Sequence, residues 1–343
     1  MPLVSLRIRL FELVAGPGAN DDGDGRIVDI DLIEALPLLA DARRGRRAGL
    51  DDQRAPCPRD EIACELSRGV VRMACQEHVD TRVLDRVKRQ FLPADRTLDL
   101  VVISGDFTQR ARTEQFREAC HFLEKLRDSG HEVLGVPGNH DVPLYDVLRR
   151  FLTPLARYRR FIDESLCPFV ELPGVAVLGI NTARSLTFKE GRINHDQVQF
   201  IRETFSRTTP DAMRVLVTHH PLFALKVGDE MERAIGRQEL ALDAIEDAGV
   251  DMLLAGHAHH ASTQLASDLV TRAGGALVVQ AGTATSTRVR EQEQSFNQID
   301  ISDASLTITV HAWAGERFSP SDAQRYEWHE GSWRILKSPE PAH

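Results

Sequence analysis

The chain has 343 residues and a formal net charge of -9, with 42% hydrophobic and 27% charged residues. That length suits one large α/β domain or an ordinary domain with an appendage, and the composition is that of a soluble globular protein. The acidic balance argues against a nucleic-acid partner held by overall basicity. No apolar run is long enough to span a bilayer, and Arg7, Arg9 and Glu12 interrupt the first residues where a signal peptide needs a clean apolar core.

In chain order, residues 1–75 read as an atypical segment, partly linker or disordered, set before a domain expected over residues 76–343. Asn20–Gly25 is acidic and glycine-rich, and Asp41–Asp60 is a run of Arg, Asp, Pro and Gly with few apolar residues. Asn20–Asp31 resembles a calcium loop, with oxygen side chains at positions 1, 3, 5 and 12 and glycine at 6. Gly16-Pro17-Gly18 keeps a helix from leading into it, so an acidic surface turn is the favoured reading. Five cysteines, an odd number without a dense framework, suggest reduced thiols and a cytoplasmic location.

From Leu98 the pattern becomes regular. Leu98–Ser104 is a short apolar run of the kind a buried parallel strand needs, ending in Gly105-Asp106. Thr113–Ser129 has helical spacing, with Gly130 as the stop. Val133–Val136 is a strand ending in Pro137-Gly138-Asn139-His140-Asp141; Val142–Ile162 reads as helix, Val175–Asn181 as strand and Asp196–Phe205 as helix. Val215–Thr218 is a strand leading to His219-His220-Pro221, and Glu239–Ala248 a helix that Gly249 ends. Met252–Ala255 is a strand leading to Gly256-His257-Ala258-His259. After Ala276 the helices stop, and Val278–Gln280, Ser295–Ile301 and Leu306–Trp313 suggest strands of a second sheet.

Four times, then, a strand ends and residues able to hold a metal begin. Open α/β sheets place ligands beyond the carboxyl ends of their strands, so these groups are expected at one edge. Carboxylate, amide oxygen and neutral imidazole suit a pair of divalent ions, which together can draw a nucleophile from water and clamp a phosphate. Singly each residue has a plain structural reading: Asp106 and Asn139 as turn residues, each histidine as a satisfied strand end. The ordered series does not. His121, His131, His195 and His311 belong to no motif and are read as structural or exposed.

These four strings, in this order, resemble the motif series of the calcineurin-like metallophosphoesterases over roughly Ala94 to Phe318. Gly105–Ala111 and Gly282–Arg288 are similar to bacterial members grouped with class III cyclic-nucleotide phosphodiesterases. The resemblance implies a four-layer α/β/β/α sandwich with two mixed sheets and hydrolysis of a small phosphoester, most simply a phosphodiester, by a metal-bound hydroxide. It implies two divalent ions (Mn, Fe, Zn or Co), with Asp106 shared between them, Asn139, His219 and His257 on one and His259 on the other. His140 would protonate the leaving oxygen, with Asp141 as its orienting partner. His220 would be a supporting donor and Arg110 a phosphate contact.

The family normally opens with a strand ending in D-x-H, and this sequence has no histidine before His78. Three explanations stand at this point: Val70–Ala74 is that strand, with Gln76-Glu77-His78 as a degraded counterpart; the first residues are not the native start; or one ion site has been lost. The last implies a strong remaining site beside a weak or empty one, with a non-catalytic or impaired binding or regulatory relative as the alternative reading.

Overall fold

The computed structural model describes residues 6–11, 98–186, 190–227, 230–258, 261–266, 275–284, 294–302 and 305–336. Its strands are β1 (Leu6–Phe11), β2 (Leu100–Ile103), β3 (Glu132–Gly135), β4 (Phe169–Leu172), β5 (Val175–Ile180), β6 (Met213–Thr218), β7 (Leu225–Val227) and β8 (Glu230–Glu232). They continue with β9 (Met252–Ala255), β10 (Ser262–Leu265), β11 (Leu277–Gln280), β12 (Ser295–Ser302), β13 (Ser305–Trp313), β14 (Phe318–His329) and β15 (Ser332–Leu336). The helices are α1 (Thr113–Asp128), α2 (Val147–Leu152), α3 (Ala156–Phe161), α4 (His195–Ser206) and α5 (Gln238–Ala248), and Asn139–Asp141 makes one 3-10 turn.

Two mixed sheets carry the fold, in the orders β15-β14-β13-β12-β1-β2-β3 and β10-β11-β9-β6-β5-β4; β7 and β8 form a small separate ribbon. The alternation of side chains along each strand produces the layers. Leu100 and Val102 of β2 join Val215 and Val217 of β6 and Leu254 of β9 in one core between the sheets. Val101 and Ile103, facing the other way, pack with Phe116, Leu123 and Leu126 of α1. On the far side Leu178, Leu216 and Leu253 meet Ile201 and Phe205 of α4 and Leu242 and Ile245 of α5. The result is the expected four-layer α/β/β/α sandwich. Both faces of these strands are covered, which is why they read in sequence as unbroken apolar runs.

Several expectations need correction. Leu6–Phe11, part of the segment set apart before residue 76, is an interior strand of the first sheet, antiparallel to β12 and parallel to β2. Leu6, Ile8 and Leu10 are buried, while Arg7 pairs with Asp300 and Arg9 lies over the Phe296 ring. The strand expected over Val70–Ala74 lies outside the described residues. The helix expected over Val142–Ile162 is broken into α2 and α3, because Pro154 lacks an amide proton and disfavours helical backbone at Thr153. The strands after Ala276 do not share one sheet: β11 runs parallel to β9, whereas β12 and β13 extend the first sheet. Cys167 carries a free thiol. Among the described residues no helix is long and apolar enough to cross a membrane.

Candidate metal centre

β1, β2 and β3 run parallel in one sheet, and β5, β6, β9 and β11 in the other. Their carboxyl ends deliver Asp106 and Asn139-His140-Asp141 from the first sheet, and His219-His220 and His257 from the second. The two sets are stitched together across the layers. The His219 ring reaches Ser104 O through Nδ1 at 2.7 Å, and Gly256 N donates to His219 O at 2.9 Å.

That approach tolerates no side chain at two of the motif glycines. A Cβ on Gly138 would sit 2.0 Å from Asp106 Oδ1, and one on Gly105, whose φ is +110°, would sit 2.4 Å from His219 Nδ1. Asp106 and His257 themselves adopt positive φ, 55° and 73°, a conformation that costs a non-glycine residue energy and is typical of functional turns.

A carbonyl can only accept, so His219 Nδ1 carries the proton in its bond to Ser104 O and Nε2 presents a lone pair. Burial lowers the His219 pKa from 6.5, against the opposing pull of Asp106, which favours the neutral, ligand-competent ring. Nε2 faces Asn139 Oδ1 at 3.0 Å and Asp106 Oδ1 at 3.5 Å. His257 Nδ1 closes the group, 3.1 Å from Asn139 Oδ1 and 3.2 Å from His219 Nε2. Donors bound about 2.1 Å from one ion at right angles stand about 3.0 Å apart. Oxygen and nitrogen donors at this spacing fit a divalent cation.

Of His140 and Asp141, it is Asp141 that sits otherwise than expected. The His140 amide donates to Asp106 Oδ1 at 3.0 Å, and its ring is oriented by Gln109 O, 2.8 Å from Nδ1, leaving Nε2 to handle a proton. Asp141 does not orient that ring. Its carboxylate accepts from the amides of Phe107 (3.2 Å), Thr108 (2.9 Å) and Gly138 (2.9 Å) and from the Thr108 hydroxyl (3.1 Å). It therefore clamps the two loops that carry Asp106 and Asn139. Burial, followed by the charge of Asp106, raises the Asp141 pKa from 3.8 to about 7.

His220 comes closer to the centre than a supporting role implied. Its ligand atom lies with those of His219 and His257 inside a 4.8 Å group, its ring centroid is 4.7 Å from that of His257, and its Nδ1 is 2.8 Å from Thr182 Oγ1. Thr182 was missed, although Asn181-Thr182 follows β5 just as the recognised motifs follow their strands. Gln280 was missed too: it ends β11, its side chain donates to Gly256 O, and its own carbonyl is held by Asn297 Nδ2 at 2.8 Å. Arg110 is half-buried, its amide bonded to Gln115 Oε1 at 3.0 Å. His259, His78, Asn20–Asp31 and residues 285–288 lie outside the described residues. Among the described residues, His121, His131, His195 and His311 stand outside the histidine group.

Among proteins of curated function no sequence match was found. Two solved structures are similar in fold. A dimetal phosphatase from Danio rerio is 13% identical, with 69% of this chain and 88% of that one covered and a TM-score of 0.50. A purple acid phosphatase from yellow lupin is 12% identical, with a TM-score of 0.56 over 93% of this chain, which spans about half (53%) of that protein. The family model of calcineurin-like phosphoesterases matches residues 78–261, more than half of the sequence and the stretch that holds Asp106, Asn139, His219 and His257. The chain belongs to the calcineurin-like phosphoesterase family, whose members hydrolyse phosphoesters with the help of metal ions.

Proposed function

We propose that this protein is a phosphodiesterase acting on small phosphoesters. The observation that carries the reading is the convergence of Asn139 Oδ1, His219 Nε2 and His257 Nδ1 within 3.0–3.2 Å of one another, with Asp106 Oδ1 3.5 Å from His219 Nε2. Asn139, His219 and His257 would hold one divalent ion, Asp106 would be shared, and His259 would serve the second. Bound there, the ions would supply charge neutralisation on the phosphoryl oxygens and a nucleophile drawn from water.

The remaining steps belong to the chain's own groups. Gln109 O fixes the His140 ring so that Nε2 can pass a proton to the leaving oxygen. Asp141 sets the spacing of the loops that carry Asp106 and Asn139 and does not touch the reacting atoms. His220, held through Thr182, packs against His257 and limits how far that ring can turn.

The test is hydrolysis of bis-p-nitrophenyl phosphate with added manganese, beside Asn139→Ala. Turnover that disappears in the variant supports the proposal. No turnover with manganese, iron, zinc or cobalt would sink it and leave the non-catalytic reading, for which the missing D-x-H speaks.

A further inference from the structure

Beside His220 three short segments are hydrogen-bonded into one rim. Arg192 N donates to Thr182 O at 2.9 Å, Gly236 N to Gly191 O at 2.9 Å and Ile235 N to Pro221 O at 3.1 Å. Gly191 lies so close to the His220 ring that a Cβ there would be 2.4 Å from Cγ. Each segment carries an arginine: Arg184 two residues after Thr182, Arg192 next to Gly191, and Arg237 next to Gly236. Arg192 and Gly236 are paired as an isolated parallel bridge, which sets Arg192 and Arg237 side by side in the chain path.

Arg184 is half-buried, and its guanidinium meets only neutral oxygens, Asn181 O at 3.3 Å, Ala183 O at 3.2 Å and the Gln197 side chain. Arg192 and Arg237 are exposed. Among the described residues none of the three has a carboxylate within ion-pair distance, while nearby Arg233 does pair, with Glu190 at 3.3 Å. Burial lowers the Arg184 pKa; Cys167 opposes that shift, while the charges of Arg192 and Arg237 add to it. Two further features add positive potential. The amino ends of α4 and α5 open just after Arg192 and at Arg237, and Arg237 holds a left-handed backbone (φ 65°) to cap α5. In a protein of net charge -9, three guanidiniums that meet no carboxylate among the described residues raise the potential at this rim.

Resting on the phosphodiesterase reading, we infer that Arg184, Arg192 and Arg237 form a second anion subsite for a substrate bearing a further phosphate group beside the scissile one. Guanidiniums bind phosphate through paired N–H donors, and three of them match a diphosphate better than the single charge of a cyclic mononucleotide. The substrate class is therefore a nucleotide-like phosphoester with two or more phosphates.

The test separates the subsite from the catalytic reading. Inorganic pyrophosphate is titrated calorimetrically into the full chain with excess chelator, for wild type and the double variant R192Q/R237Q. Arg184 is left in place because it braces two carbonyls. Wild type should bind saturably and weaken steeply with salt, and the double variant should bind at least tenfold more weakly at an unchanged Tm. Equal binding by both proteins, or none by wild type, overturns the subsite. In the manganese-loaded wild type, ADP should inhibit bis-p-nitrophenyl phosphate hydrolysis competitively; a non-competitive pattern would make the anion an effector and overturn its place in the substrate. If wild type turns over nothing, the phosphodiesterase reading fails, and the chelated titration still decides whether the arginines take an anion.

Discussion

His219 Nε2 and Asn139 Oδ1 stand 3.0 Å apart, a lone pair against an amide oxygen, on strand ends from opposite sheets. Such a pairing repels until a cation lies between the two atoms, so metal should stabilise the fold. Manganese at about 100 times its dissociation constant contributes about 2.7 kcal/mol, a rise in Tm of roughly 5 °C. Scanning calorimetry of chelated and loaded protein should show that rise, reduced to near zero in His219→Ala. Burial keeps the His219 pKa below 6.5, so proton competition at this ring begins only at lower pH. The rise should persist at pH 6.5; a collapse there would mean that the ring titrates as an exposed imidazole does.

A second prediction concerns Gly138. A methyl group at this position would meet Asp106 Oδ1 at 2.0 Å and Asp106 N at 2.3 Å, both on a buried loop with nowhere to retreat. Gly138→Ala should therefore cost about 1–3 kcal/mol through overpacking and displace the shared carboxylate. The expected outcome is a folded protein with a lowered Tm and a manganese-induced rise at least halved. A full metal response in Gly138→Ala would show that the loop has slack that this packing denies.

Much of this centre was legible because buried parallel strands write themselves as apolar runs, and the residues just after each run land at one edge. Asp106, Asn139, His219 and His257 were placed on that ground, and the same rule applied to β5 and β11 would have found Thr182 and Gln280. β1 was misjudged for a physical reason. Its Arg7 and Arg9 looked like breaks in an apolar segment, whereas Leu6, Ile8 and Leu10 form the inward face of a strand whose outward arginines meet Asp300 and Phe296. Asp141 could not be read at all: adjacency to His140 says nothing of where a carboxylate points, and its partners Phe107 and Thr108 lie more than thirty residues away.

Asp141 gives a prediction with a definite sign. Its folded pKa of about 7 exceeds the unfolded 3.8, so the folded metal-free protein binds the extra proton between those values. The stability that proton contributes is complete below 3.8 and is lost as pH rises through about 7. Chelated wild type should therefore lose stability between pH 5 and pH 8 in urea titrations, and Asp141→Asn, which mimics the protonated form, should lose less. Asp141→Ala leaves three buried amides without their acceptor and should cost about 3–5 kcal/mol at any pH. A profile equally steep in wild type and Asp141→Asn would assign the pH dependence to another group.

The last prediction separates His140 from the residues around it. Its amide supports Asp106, and among the described residues its ring is hydrogen-bonded to Gln109 O and to no member of the Asn139–His219–His257 group. His140→Gln keeps the backbone bond, so the metal-induced rise in Tm should stay near that of wild type. Catalysis should respond according to the leaving group. With p-nitrophenolate, which departs without help, loss of a proton donor matters little. With an alkoxide leaving group the donor is needed, and general-acid assistance is worth about 100- to 10,000-fold. A plot of log kcat against leaving-group pKa should thus fall more steeply for His140→Gln than for wild type. Parallel lines displaced by a constant factor would assign His140 to charge stabilisation, and a lost metal response would make it part of the metal-binding framework.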